Sequence, residues 1–102
     1  MITSSSSPNS WEIWLAYLHF ADQPQRGKVR PIVILDSCNT IIVAKITTAE
    51  PHDQFSYYAL KNWKMEGLLK PSRVQIKPLF VVEPGDLLNG QPLGFLTEED
   101  RM

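Results

Sequence analysis

A small, strongly bent, mainly β barrel with one or two short helices is the fold this sequence predicts, and three observations predict it. Apolar residues come in runs of strand length: WEIWLAYLHF (11–20), PIVIL (31–35), IIVAKIT (41–47) and RVQIKPLFVV (73–82). Gly and Pro punctuate the intervals between them, at Pro24, Gly27, Pro71, Pro84-Gly85 and Asn89-Gly90. Only one internal stretch, 57–67, carries helical spacing. Short strands so punctuated close on themselves more readily than they stack into a wide open sheet.

Each element has its reason. Residues 11–20 place Trp11, Ile13, Leu15, Tyr17 and His19 on one face and Glu12, Trp14, Ala16, Leu18 and Phe20 on the other. Apolar surface on both faces predicts a strand that is central or lies in an interface. Residues 21–28 read as a loop. Pro31 opens the next strand at the position where a strand tolerates proline, and Ile32 to Leu35 is continuously apolar. In the third strand Ile42, Ala44 and Ile46 alternate with Ile41, Val43 and Lys45. A loop follows at 48–56. Leu60, Trp63 and Lys64 then predict a helix that Gly67 ends. The strand at 73–82 is expected to be interrupted at Pro78. Pro84-Gly85 is a turn, Asn89-Gly90 a hairpin signal, and Thr97-Glu98-Glu99-Asp100 the start of a single helical turn.

The chain has 102 residues, enough for one domain. Residues 1–10, with four consecutive serines, read as a flexible tail, and 11–102 as a single domain. A net charge of -1 excludes a protein that coats nucleic acid by bulk charge and leaves room for a local basic groove. The single cysteine, Cys38, excludes an internal disulfide and a cysteine-based zinc site and points to a reducing compartment. No apolar run approaches the ~20 residues of a membrane span. A cytoplasmic protein with no membrane association is expected. His19 and His52 stand alone, and Asp22, Glu50, Asp53 and Glu66 show no ligand spacing, so no metal site and no cofactor are expected.

In order along the chain, WEIWLAYLHF, GKVRPIVIL with its Gly-x-x-Arg-Pro step, IIVAKITT with its Ile-Thr end, KPSRVQI, and PLGFLTEED with its Gly-x-Leu-Thr-x-Glu-Asp pattern resemble the MazF/PemK (Kid) family of toxin endoribonucleases from type II toxin–antitoxin systems. The likeness runs through about residues 11–100. It implies an SH3-like barrel of the MazF/PemK/CcdB type, a homodimer, metal-independent cleavage of single-stranded RNA, and inhibition by a cognate acidic antitoxin.

Such cleavage needs a base for the 2′-OH, cations for the phosphorane and an acid for the leaving 5′-oxygen. Arg30 is the first candidate for the phosphate, because a guanidinium fork matches phosphate oxygens and the rigid strand behind Pro31 holds it still. The resemblance puts the family's catalytic arginine in this step and its Ile-Thr hydroxyl at Thr47. Arg26, Lys28, Thr48, Ser72, Arg73 and Lys77 are the candidate RNA contacts. The blander readings are solvated loop charges for Arg26 and Lys28, turn hydroxyls for Thr48 and Ser72, and edge charges for Arg73 and Lys77. Trp11, Trp14, Phe20, Tyr57, Tyr58 and Trp63 are either base-stacking surfaces or core. The sequence departs from the family in two places. The loop before Gly27 reads DQPQRG, with Gln25 in place of a glutamate. The later-strand positions of an Arg-x-Asp pair hold Gln75 and Lys77. Asp22 and His19 are left as candidates for the base. A second reading is therefore a catalytically inactive SH3-like barrel that binds RNA or a protein, and a third is a plain interaction module.

Overall fold

The computed structural model describes residues 8–20, 22–49 and 56–101. Residues 1–7 of the expected tail, with Glu50, His52 and Asp53, lie outside the described residues. Six antiparallel strands curl into a half-barrel: β1 (Glu12–His19), β2 (Gly27–Asp36), β3 (Ile41–Thr47), β4 (Tyr57–Ala59), β5 (Arg73–Val82) and β6 (Gly94–Phe95), in the order β4-β5-β3-β2-β1-β6. The expectation of a small, mainly β barrel is met. β2 and β3, the two near-continuous apolar runs, occupy the middle, and Val33 and Ile34 are fully buried.

Both faces of these central strands are covered, which is why their apolar residues do not alternate with polar ones. One face packs Ile13, Val33, Ala44 and Ile46 against Leu60, Leu68 and Leu96. The other gathers Trp14, Ala16, Ile32, Ile34, Val43 and Val82. Each fully buried isoleucine contributes about 1.5–3 kcal/mol relative to exposure. The β1–β2 register, Ala16 opposite Arg30 and His19 opposite Gly27, brings the two strands together through the loop at 20–26, which the Phe20 N–H closes on the Arg26 carbonyl at 2.7 Å. Gly27 is required here: a Cβ would collide with the Leu18 carbonyl.

Three local expectations are corrected. The helix predicted at 57–67 is absent. Tyr57–Ala59 is a short edge strand on β5, and a single turn follows. That turn ends as a helix would: Leu68 N–H reaches the Trp63 carbonyl at 3.0 Å and Gly67 N–H the Lys64 carbonyl at 3.3 Å, with Gly67 at φ 94°. The helical spacing therefore belongs to one turn, and Leu60 and Leu68 at its two ends are pinned in the core. The Asn89-Gly90 pair does adopt a double positive-φ turn, both residues at 68°, yet it joins no two mutually paired strands. Leu87 lies opposite Ala16 and Gly94 opposite Ile13, so the turn is looped out of one segment that runs along β1. Finally, order begins before residue 11. Pro8 is buried and its carbonyl accepts the Ser37 hydroxyl at 2.7 Å, while the Ser10 hydroxyl donates to Leu35 O.

The interruption expected at Pro78 is present. Gln75 pairs with Lys45 and Phe80 with Val43, so 76–79, including the cis Lys77–Pro78 bond, stand opposite Ala44 alone.

The expected turn at Glu98–Asp100 anchors the end of the chain. Asp100 is fully buried and accepts the N–H groups of Lys61 (3.0 and 3.1 Å) and Asn62 (2.8 Å) and the Tyr58 hydroxyl (3.0 Å). Glu66, also fully buried, accepts the Thr97 N–H at 2.9 Å and hydroxyl at 3.1 Å on Oε2. Its Oε1 is buried and receives no hydrogen bond, and the Asp100 carboxylate is its side-chain neighbour. Burial, and then the neighbouring Asp100, push the Glu66 carboxyl up. Burial would also raise Asp100, but the Asn62 and Lys61 N–H groups, with Glu66 and Tyr58, outweigh it and hold Asp100 below its usual value. Of the two carboxyls, Glu66 is thus the one whose surroundings favour the protonated form.

Candidate functional site

The N-terminal half of β2 differs from its apolar second half: Lys28 and Val29 are exposed and Arg30 half-buried. Side chains alternate across a strand, so Lys28, Arg30 and Ile32 share one face, with Ala16 and Leu18 opposite them on β1. Ile32 pairs with Lys45 on β3, and Lys45 in turn with Gln75 on β5. Two strands therefore deliver Arg30 and Lys45 to one end of the same face. A cleft of about 220 Å³ opens there, lined by Arg30, Lys45 and Lys28, by Phe80, and at the rim by His19, Phe20 and Asp22.

Lys45 was not among the residues singled out from the sequence. Its signal was present: it is the only charge in IIVAKIT, on the alternation shared with Ile41 and Val43, both buried. Burial, and then the Arg30 charge, push its ammonium below the usual lysine value. Among the described residues no carboxylate lies in ion-pair distance of Arg30 or Lys45; the two ion pairs are His19–Asp86 and Lys61–Glu99. Two like charges, each half-buried, thus face one cleft with no described carboxylate in ion-pair distance of either.

His19 ends β1 at the rim. Its Nε2 lies 3.1 Å from Asp86 Oδ1 and its Nδ1 2.8 Å from the Pro24 carbonyl. Both partners are acceptors, so the pair of contacts favours the doubly protonated ring. The Asp86 hydrogen bond, then the Pro24 carbonyl, raise its pKa. In that doubly donating form the ring has no lone pair for a 2′-OH proton, which favours His19 as a cation of the rim over His19 as a base. Asp22, exposed at the same rim, is the remaining carboxylate of the two candidates.

The other predicted residues divide between the two faces. Thr47 follows Lys45 on the same alternation and pairs with Arg73; antiparallel pairing carries it toward the Arg30 end of β2. Its hydroxyl accepts the Ala49 N–H at 3.1 Å, which still leaves it a proton to donate. The Arg73 guanidinium reaches the Ala49 carbonyl at 3.4 Å. Thr48 and Ser72 instead line a larger apolar groove of about 430 Å³ on the opposite face, with Leu15, Pro31, Leu68 and Leu93. The Ser72 hydroxyl is bonded to the Lys70 carbonyl at 2.8 Å. Arg26 sits exposed in the loop and Lys77 exposed in the β5 bulge. Gln75 is buried and accepts the Tyr57 hydroxyl at 3.3 Å. Of the aromatic candidates, Phe20 lines the cleft, Trp14 is core with its Nε1–H on Glu12 at 2.9 Å, and Trp11, Tyr58 and Trp63 pack against the opposite core. Phe80, which the sequence reading passed over, is the second ring in the cleft.

No protein-family model and no curated protein sequence matches this chain. Among the described residues no helix is long and apolar enough to cross a membrane.

Proposed function

We propose that this protein is a toxin endoribonuclease of the MazF/PemK kind, cleaving single-stranded RNA by attack of a 2′-OH on its own phosphate without a metal. One observation carries the reading: Arg30 and Lys45, mutually repelling and paired with no described carboxylate, face one cleft beside Phe20 and Phe80. Holding together two cations that no described carboxylate pairs costs free energy that an anion would recover, and the exposed Phe20 ring, with the half-buried Phe80 beside it, suits unstacked bases. Arg30 takes the phosphate, Thr47 supports it with a hydroxyl, Lys28, Arg26 and Arg73 extend the cationic track, and Asp22 is the base. A homodimer is supported by the apolar side chains of Ile76, Leu79 and Val81 that β5 leaves exposed. A cognate acidic antitoxin and a cytoplasmic site of action complete the reading by family resemblance.

The test is cleavage of a mixed-sequence single-stranded RNA in EDTA. The wild type should cut it. Arg30→Ala should cut it about 10²–10³-fold more slowly, the typical effect of losing one donor to developing charge, with its melting temperature unchanged. Wild-type-like cleavage by Arg30→Ala removes the assignment. Binding without cleavage by the wild type favours the second reading, an inactive RNA-binding barrel. That reading is supported by Gln75, a non-ionisable residue already engaged by Tyr57.

A further inference from the structure

We infer that Lys45 is a catalytic residue, the proton donor to the leaving 5′-oxygen; this rests on the ribonuclease reading and deepens it. The chemistry requires an acid on the far side of the phosphate from the 2′-OH. Of the other cleft cations with a titratable proton, Lys28 is exposed at the outer end of the β2 face, and His19 holds its two ring nitrogens against the Pro24 carbonyl and Asp86 at the rim. Arg30 binds phosphate but does not give up a proton in proteins. Lys45 lies on the cleft wall beside Arg30, with three N–H donors and no hydrogen-bond partner among the described residues. Its surroundings favour the deprotonated product of the step: burial and the Arg30 charge both lower its pKa. The charged and titratable groups that face it are Arg30 and Lys28 from β2 and His19 and Asp22 from the rim. Its β5 neighbours, Gln75 and Phe80, carry no charge.

The 2′-oxygen bonds to phosphorus as its proton passes to the Asp22 carboxylate, which afterwards releases it to water. The bond from phosphorus to the 5′-oxygen breaks with its electron pair on oxygen, and the Lys45 Nζ delivers a proton there. The products are a 2′,3′-cyclic phosphate and a 5′-hydroxyl, and the neutral amine regains its proton from water. Charge balance is kept and no co-reactant is needed.

The experiment compares two oligoribonucleotides that contain the linkage the wild type cuts. One is ordinary, and in the other sulfur replaces the bridging 5′-oxygen, so that a thiolate departs without protonation. Lys45→Ala and Lys45→Arg, each checked for an unchanged melting temperature, should cleave ordinary RNA about 10²–10⁴-fold more slowly, the usual worth of a general acid. On the 5′-thio substrate both should approach the wild-type rate. The wild-type rate on ordinary RNA should fall on the alkaline side as Lys45 deprotonates, a limb that Lys45→Ala lacks. Equal deficits on both substrates, or wild-type activity in Lys45→Arg, overturn the proposal and reduce Lys45 to a charge, with the ribonuclease reading intact. A wild type that cuts neither substrate overturns that reading and this proposal together.

Discussion

Replacing Glu66 by Gln should leave stability nearly unchanged in the mildly acidic range and remove the decline that the wild type shows as pH rises above it. Glu66 accepts two hydrogen bonds from Thr97 on Oε2 and turns a buried Oε1 toward the Asp100 cluster. A glutamine reproduces the protonated acid: its carbonyl accepts from Thr97 and its NH₂ donates to Asp100. The pKa of Glu66 is raised in the fold, so its contribution is complete below the unfolded carboxylate value and is lost as pH rises through the folded value. The pKa of Asp100 is lowered, so its contribution is present above the unfolded value and is lost as pH falls through the folded one. Wild-type stability should therefore peak between these two limits. Glu66→Ala gives the scale. It strands the two Thr97 donors at about 1 kcal/mol each and deletes one bond to a charged carboxylate at about 1.5–3 kcal/mol, roughly 3–5 kcal/mol in all. For a domain of this size that is a fall of about 15–30 °C in Tm. The assay is urea unfolding followed by tryptophan fluorescence from acid to alkaline pH. Glu66→Gln should track the wild type within about 1 kcal/mol near the unfolded carboxylate value and stay level where the wild type declines with rising pH. Parallel curves for the two proteins across the whole range would refute the preference of Glu66 for its protonated form.

Two further outcomes follow from the site's scaffold. Gly27→Ala should unfold or severely destabilise the chain, because the new Cβ meets the Leu18 carbonyl within the β1–β2 ladder that positions Arg30; thermal melting checks this, and a wild-type Tm would show that the hairpin can shift. The His19 ring should titrate above its ordinary 6.5 by NMR, and Asp86→Asn should bring it down, because Asp86 is the largest cause of the rise; a His19 titration unmoved by that substitution would show that the pair does not form in solution.

Much of the fold was legible in the residues. Apolar runs at Ile32 to Leu35 and Ile41 to Ile46 announced central strands, because only strands covered on both faces need no polar alternation. Gly67 marked a real chain reversal, because positive φ is a local demand that a short stretch reveals by itself. Arg30, singled out by its position before Pro31, lines the cleft. What stayed hidden depends on partners far apart in sequence. The 57–67 stretch carries helical spacing, yet β5 offers Tyr57–Ala59 a ladder and the core holds Leu60 and Leu68, and both outweigh a weak local preference. The Asn89-Gly90 turn forms as its residues dictate, but the chain on either side of it finds β1 instead of itself. The placing of Lys45 beside Arg30, of Thr48 and Ser72 on the opposite face, and of Glu66 against Asp100 was decided by strand register and sheet curvature. Those sum over many long-range contacts, and no short window of sequence contains them.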